Sequence, residues 1–436
     1  MAKPLRLGLA GLGTVGAGVI RLLDTNKDLL RARAGREFEV VAVSARDRTK
    51  DRGVDLSGFA WEDDMTALAA RDDVDVVVEL VGGTDGPALD LARASLGQGK
   101  GFVTANKAMI AHHGLELAKI AEAAQLALKF EAAVAGGIPV VKGLREGAAA
   151  NAIERIYGIL NGTCNYILST MESTGADFDA VLSDAQRLGY AEADPTFDIE
   201  GVDAAHKLAI LASIGFGAKL DFNAVRVTGI KQVQAADIAQ ADALGYVIRL
   251  IAMADVEQAE GQEPTLLQRV RPCLVSKDHP LASVDGPTNA VVAEGNFSGR
   301  LLFQGAGAGE GPTASSVVAD LIDIAREEAG APFSIPQAEL ITMAPTEPGH
   351  RMERTYIRFT VADRPGVLAE ITAAMRDAGV SIESLIQKGS ADESGDVLVA
   401  MVTHEGQERC VRQALELLKG SDSLTAAPLV LPLLRD

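Results

Sequence analysis

The sequence predicts an α/β protein whose first third is a doubly wound, mostly parallel sheet, followed by an α+β block and a small two-layer tail. Three observations carry that expectation. A short apolar run, LRLGLA (5–10), leads into GLGTVG (11–16) and then a helically spaced segment; short apolar runs alternate with helical segments to about residue 150; thereafter the pattern changes to longer strand-like runs. Alternation of strand and helix favours a parallel sheet with right-handed crossovers. At 436 residues the chain exceeds one ordinary hydrophobic core, so two or three domains are expected.

Each element of the first third can be justified in turn. In a strand–GxGxxG–helix context, Gly11 permits a tight turn, Gly13 lets the backbone approach a pyrophosphate, and Gly16 lets helix and sheet pack closely. Thr14 and Val15 then open the helix, whose free N–H groups suit phosphate oxygens. This is the pattern of a Rossmann-type nucleotide site. The second strand, FEVVAVSARD (38–47), ends in Ser44, Ala45 and Arg46 where an NAD site normally carries an acidic residue. An arginine there suits a 2′-phosphate, so NADP(H) is expected, with NAD(H) as the alternative. VDVVVELVGG (74–83), GKGFVTANKA (99–108) and LALKFEAAVAGG (126–137) read as further strands. Ligands bind at the carboxyl ends of such strands, which brings Thr104, Asn106 and Lys107 to the site.

From about Ala150 the reading is a strand and helix in IERIYGILNGTCNYIL, then the acidic segment GYAEADPTFDIEGVDAAHK (189–207) and a long apolar helix (204–217). Asp203 and Lys207 lie four apart at the helix start and so share one face, where they can pair. GYVIRLIAMADV, LLQRVRPCLV and NAVVAEGNFSGRLLFQGAGAG read as strands. GAGAGEGPTASSVVADLIDIA (305–325) enters another helix; its glycines form either a flexible bend or the return of the chain to close the first domain.

A linker containing Pro332, Pro336, Pro345 and Pro348 precedes a tail that reads strand TYIRFTVA, turn DRPG, helix VLAEITAAMRDAG, strands VSIESLIQKG and DVLVAMVTH, helix EGQERCVRQALELLKG and a short last strand in TAAPLVLPLL. That order builds a ferredoxin-like two-layer domain. The expected organisation is a nucleotide domain at 1–150 with 305–328 supplying its closing helix, a substrate and oligomerisation domain at 151–304, a linker at 329–352 and a regulatory tail at 353–436. A chain ending near Pro348 is expected to fold without the tail.

A net charge of −19 argues against non-specific nucleic-acid binding. No stretch is long and apolar enough to span a bilayer, the first residues lack a secretory signal, and Cys164, Cys273 and Cys410 are too scattered for a disulfide framework. A reducing, cytoplasmic location is the expectation.

The chain resembles bacterial homoserine dehydrogenases in AGLGTVG (10–16), VTANK (103–107), EAAVAGGIPV (131–140), NGTCNYIL (161–168) and LGYAEADPTFDIEGVDAAHK (188–207), and its DRPGVLAEI (363–371) resembles an ACT domain. The resemblance implies reversible NAD(P)H-dependent reduction of L-aspartate 4-semialdehyde to L-homoserine, on the route to threonine, methionine and isoleucine. It implies Lys207 as the proton-transfer residue, Lys107 as a second site lysine that also faces the cofactor, Glu192 gripping the substrate's amino group with Asp198 and Asp203 nearby, and Gly307 beside the cofactor. It further implies a sodium or potassium ion at Glu131 and the carbonyls of Val134, Gly136 and Ile138, a homodimer or homotetramer, and threonine feedback through the ACT domain. The chemistry agrees: an ammonium can stabilise and protonate the oxygen on which charge develops, and Asp203 would keep Lys207 charged and oriented. His206 points away and is assigned no role. The competing readings are another NAD(P)-dependent amino-acid dehydrogenase and a nucleotide-sensing regulatory protein; a Glu192–Lys207 pair argues against the sensor.

Overall fold

The computed structural model describes residues 3–258, 261–347, 349–387 and 396–435. Pro348 and the last two residues of the run VSIESLIQKG lie outside the described residues. The first sheet contains β1 (Leu5–Ala10), β2 (Phe38–Ser44), β3 (Ala60–Glu62), β4 (Val76–Glu79), β5 (Gly101–Thr104) and β6 (Leu128–Lys129), in the order β3-β2-β1-β4-β5-β6. All its pairings are parallel. Strands β4 and β5 are buried along their whole length, as expected of a parallel sheet covered on both faces. The strand order reverses between β1 and β4, which opens a ligand crevice at their carboxyl ends.

Of the two readings for 305–325, the chain does return. Helix Glu310–Ala325 packs against helix Thr14–Thr25, with Val19, Ala314, Val317 and Leu321 in one apolar cluster. Gly18 makes this approach possible: a Cβ there would lie 2.6 Å from the Glu310 side chain and 3.1 Å from its carbonyl oxygen.

The second sheet holds β7 (Ile153–Ile159), β8 (Arg226–Val227), β9 (Tyr246–Glu257), β10 (Thr265–Ser276), β11 (Thr288–Gly295), β12 (Gly299–Ala306) and β13 (Ala344–Pro345). Its order is β12-β11-β7-β9-β10-β13, with β8 beside β10. The run NAVVAEGNFSGRLLFQGAGAG forms the antiparallel hairpin β11–β12, closed where Gly295 pairs with Gly299. Helices Gly162–Thr174, Val202–Phe216 and Ala235–Ala243 lie on this sheet.

The tail adds β14 (Met352–Glu353), β15 (Thr355–Ala362), β16 (Ile382–Gln387), β17 (Asp396–Thr403), β18 (Gly406–Gln407) and β19 (Leu429–Pro432). Its antiparallel sheet runs β16-β17-β15-β19, and helices Val367–Asp377 and Glu408–Leu417 pack on one face. The other face is not free. Tyr356, Val402, Leu429 and Leu431 join the same apolar cluster as Leu266, Val270 and Leu274 of β10. Asp237, fully buried, accepts from Tyr356 Oη at 3.1 Å and from the Arg358 guanidinium at 3.0 Å. Arg269 pairs with Glu408 at 2.8 Å and Arg271 with Glu353 at 2.6 Å. The proline-rich linker therefore joins two bodies that share a core. A chain cut before the tail would strip Asp237 of Tyr356 and Arg358 and uncover the apolar residues of β10 that the tail sheet packs on.

Candidate active site

The glycine loop follows β1 at the crevice. Gly11 has φ 98°, and a Cβ there would lie 2.6 Å from the Leu80 carbonyl oxygen, so the turn requires glycine. Gly13 has open space around it, as an approaching phosphate would need. The expected role of Gly16 is revised: a Cβ there would sit 2.1 Å from the Gly11 carbonyl oxygen, so this glycine tightens the loop itself. The intimate helix contact belongs to Gly18 instead. Arg46 is exposed just beyond β2. Two further arginines crowd this strand end: Arg52 donates to the Leu12 carbonyl at 3.0 Å, and Arg48 and Arg52 lie 5.7 and 5.8 Å from the Trp61 ring.

Lys107 is placed by a chain of hydrogen bonds. Buried Glu79 accepts from Val81 N, Gly82 N and Thr104 Oγ1; Thr104 Oγ1 accepts from Asn106 N; and Asn106 Oδ1 caps helix Lys107–Ala123 through Met109 N. A cation at a helix N-terminus is unfavourable unless offset. Here Asp203 Oδ1 offsets it at 2.9 Å, across the boundary between the two sheets' domains. The ammonium also stands 5.7 Å from the Phe197 ring centroid.

Asp203 holds a second lysine. Its Oδ2 accepts from Lys207 Nζ at 2.7 Å, as the four-residue spacing predicts, and Lys207 also donates to the Leu160 carbonyl at 2.7 Å. Asn161 donates to Asp203 Oδ2 at 2.8 Å and to Asp198 Oδ1 at 2.7 Å. Lys107, Lys207, Asp198, Asp203 and Asn161 all face one cleft of about 970 Å³, with Val15 and Gly307 on its nucleotide side. Gly307 is forced to be glycine, since a Cβ would meet Asn289 Oδ1 at 1.9 Å; Gly136 packs on the Gly307 carbonyl in the same way.

The electrostatics divide the two lysines. Burial, reinforced by Lys107, pushes Lys207 below the ordinary lysine value although Asp203 opposes it. Asp203 acts upward on Lys207 through its charge and its hydrogen bond, while burial sets the net direction. For Lys107 burial also acts downward, but Asp203, Asp198 and Glu192 together raise it. Asp203 is held well below the carboxylate range against its burial by Lys207 and Lys107, and Asp198 is pushed up chiefly by burial. Glu192 is exposed and reaches the site through its charge on Lys107. His206 turns the other way, as expected, to contact His112 at 3.1 Å and stack on Phe222.

Glu131 is buried, and its carboxylate accepts from Val141 N at 3.0 Å and Lys142 N at 2.8 Å. Burial, with Asp320 close by, pushes it up to about 7. The loop behind it carries Ala135 and Gly136 at φ 55° and 53°, and the Gly136 carbonyl accepts from Ser316 Oγ. Among the described residues no group of three or more His, Cys, Asp or Glu side chains is arranged to hold a metal ion, and no helix is long and apolar enough to cross a membrane. Reading the sequence for titratable groups missed Asn161. Its one local signal was that of a helix cap in NGTC; its grip on residues 198 and 203 has none.

Comparison with known proteins places this geometry among relatives. Residues 139–322 match the family described as "Homoserine dehydrogenase", 11–131 the "Homoserine dehydrogenase, NAD binding domain", and 355–420 the "ACT domain". A homoserine dehydrogenase of Synechocystis sp. is 43% identical over 99% of both chains, and one of Pseudomonas aeruginosa 42% identical over 97% of both. The crystal structure of a homoserine dehydrogenase from Thiobacillus denitrificans superposes with a TM-score of 0.91 at 40% identity, covering 99% of this chain and 98% of that one. A hyperthermophilic archaeal homoserine dehydrogenase in complex with NADPH matches 74% of this chain and 97% of its own, with a TM-score of 0.62 at 25% identity.

Proposed function

This chain belongs to the homoserine dehydrogenase family, and on that premise we propose that Lys207, Lys107 and Asp203 are its catalytic group. The activity it carries is the NAD(P)H-dependent interconversion of L-aspartate 4-semialdehyde and L-homoserine in threonine, methionine and isoleucine synthesis. The observation that carries the residue assignment is one buried carboxylate, Asp203, gripping two lysines from different domains inside the cleft.

The bound nicotinamide supplies the hydride in reduction and accepts it in oxidation. In reduction negative charge grows on the carbonyl oxygen. Lys207, buried and shifted down, is the better proton donor to that oxygen, while Lys107 stays charged and stabilises it. Asp203 orients both ammonium groups. Glu192, with Asp198, receives the substrate's amino group at the mouth. Gly11, Gly13, Thr14, Val15 and Gly16 cradle the pyrophosphate; Arg46 favours NADP(H) through its 2′-phosphate, with Gly307 and Lys107 near the nicotinamide.

A sodium or potassium ion at Glu131 and the carbonyls of Val134, Gly136 and Ile138 would offset the desolvation that pushes this carboxylate to about 7. A homodimer or homotetramer would use the substrate sheet, whose edge strand β12 carries Leu302 at 42% exposure and whose β11–β12 turn carries Phe297 at 89%. Threonine is the expected effector of the ACT domain, near Gly366, which at φ 97° begins helix Val367–Asp377. Calorimetry of the full chain tests this; no heat at millimolar threonine would leave the tail an assembly element.

The activity is tested by following the reduced cofactor spectrophotometrically with homoserine, NADP⁺ or NAD⁺, and sodium or potassium present. Absence of turnover would reject the reading, and release of ammonia would transfer it to an amino-acid dehydrogenase acting at the amine carbon.

A further inference from the structure

Asn161 is 3% exposed and immediately precedes helix Gly162–Thr174. Its Oδ1 accepts from Cys164 N at 2.7 Å, which is all that a helix cap requires. Serine, threonine and aspartate also cap, but asparagine alone among them offers two further amide donors. Both are used, one on Asp198 and one on Asp203. The two carboxylates differ in their other support. Asp203 has two lysines, whereas Asp198 has Thr163 Oγ1 at 3.3 Å.

The geometry points to Asn161 as a positioning residue that fixes the Asp198 and Asp203 carboxylates relative to one another and keeps Asp198 in the ionised form the reaction uses. This rests on the catalytic assignment above. The groups interacting with Asp198 are Asp203 and Lys207 from helix Val202–Phe216, Lys107 from helix Lys107–Ala123, and Cys164 from the capped helix itself, while Glu192 acts on Lys107 and Glu200 on Cys164. Burial raises Asp198 and Asn161 opposes it, with the Asp203 charge acting upward. Removing the two donors therefore favours protonation of Asp198 and frees Asp203 Oδ2 to leave Lys207.

Asn161→Asp separates the two jobs of this side chain. It keeps the shape and the acceptor that caps the helix, but it replaces both donors with a third carboxylate. Asn161→Ser also keeps a capping oxygen and adds no charge. In both, NADPH affinity should stay near that of the parent chain, while the thermal unfolding midpoint falls, further for aspartate, because two bonds to buried carboxylates are lost and aspartate adds a buried charge. The value of kcat/KM for homoserine should fall roughly 10- to 100-fold, the range for lost hydrogen bonds to charged groups. The acid limb of its pH profile should move to higher pH, further for aspartate than for serine. A merely structural role would scale the profile without moving the limb. An unmoved limb in Asn161→Ser, which keeps a capping oxygen and adds no charge, overturns the proposal. If the parent chain itself does not oxidise homoserine, the catalytic reading fails; if it does and that limb stays in place, this inference alone fails.

Discussion

The nucleotide side of the cleft is shaped by missing side chains, whereas its substrate side is shaped by charged ones. On the first side Gly11, Gly16, Gly136 and Gly307 sit where a Cβ would come within 1.9–2.6 Å of a neighbouring oxygen. On the second, a single carboxylate at 3% exposure holds two ammonium groups and an amide. The difference teaches where each wall is fragile. A backbone cradle fails by displacement, because close packing leaves nowhere for an added methyl group. A desolvated charge cluster fails in its protonation states and orientation while its backbone stays in place.

Lys207→Ala should show the largest effect and the clearest division between the walls. We expect kcat to fall roughly 100-fold or more, as for a lost acid–base group, with NADP(H) affinity nearly unchanged by fluorescence titration. Wild-type turnover would end the assignment. Gly16→Ala should do the reverse. Overpacking costs roughly 1–3 kcal/mol, so the cofactor dissociation constant should rise about 10-fold or more while KM for homoserine, at saturating cofactor, holds. Unchanged cofactor binding would break the comparison.

The seam between the walls carries a pH term. Burial, then His112 and Lys107, lower His206 to about 4, so the unfolded chain takes up this proton first. The contribution of His206 to stability is complete above the unfolded value near 6.5 and is lost as pH falls toward about 4. Urea unfolding at pH 7 and 4.5 should show a drop to which His206→Gln contributes roughly 2 kcal/mol less. Equal drops in both chains would show that His206 is already charged in the fold. The smallest effect is expected at Arg46, which is exposed and screened. Arg46→Ala should weaken NADP⁺ a few-fold more than NAD⁺; equal losses would shift the 2′-phosphate to Arg48 or Arg52.

Much of the molecule was legible locally. Alternating apolar runs announce the parallel direction of the first sheet and five of its six strands, passing over the short β3, and four-residue spacing announces the Asp203–Lys207 pair. Three features were not. Gly18 looks like any helical glycine until Glu310, nearly three hundred residues later, packs on it. Asn161 reads as a cap, because its other two bonds run to residues 37 and 42 positions away. The linker prolines suggested a detachable tail, whereas Arg358 and Tyr356 meet Asp237 in a shared core.

By itself the sequence determined what depends on near neighbours along the chain: the glycine turn, the helix starts, the strands' directions and the presence of a lysine beside an aspartate. The tertiary structure decided what depends on burial and on distance through space. It set Lys207 below its ordinary value and Lys107 above it, though both are lysines paired with the same carboxylate. The reason is desolvation: removing water disfavours an isolated charge, and only the folded arrangement determines how many opposite charges surround each one.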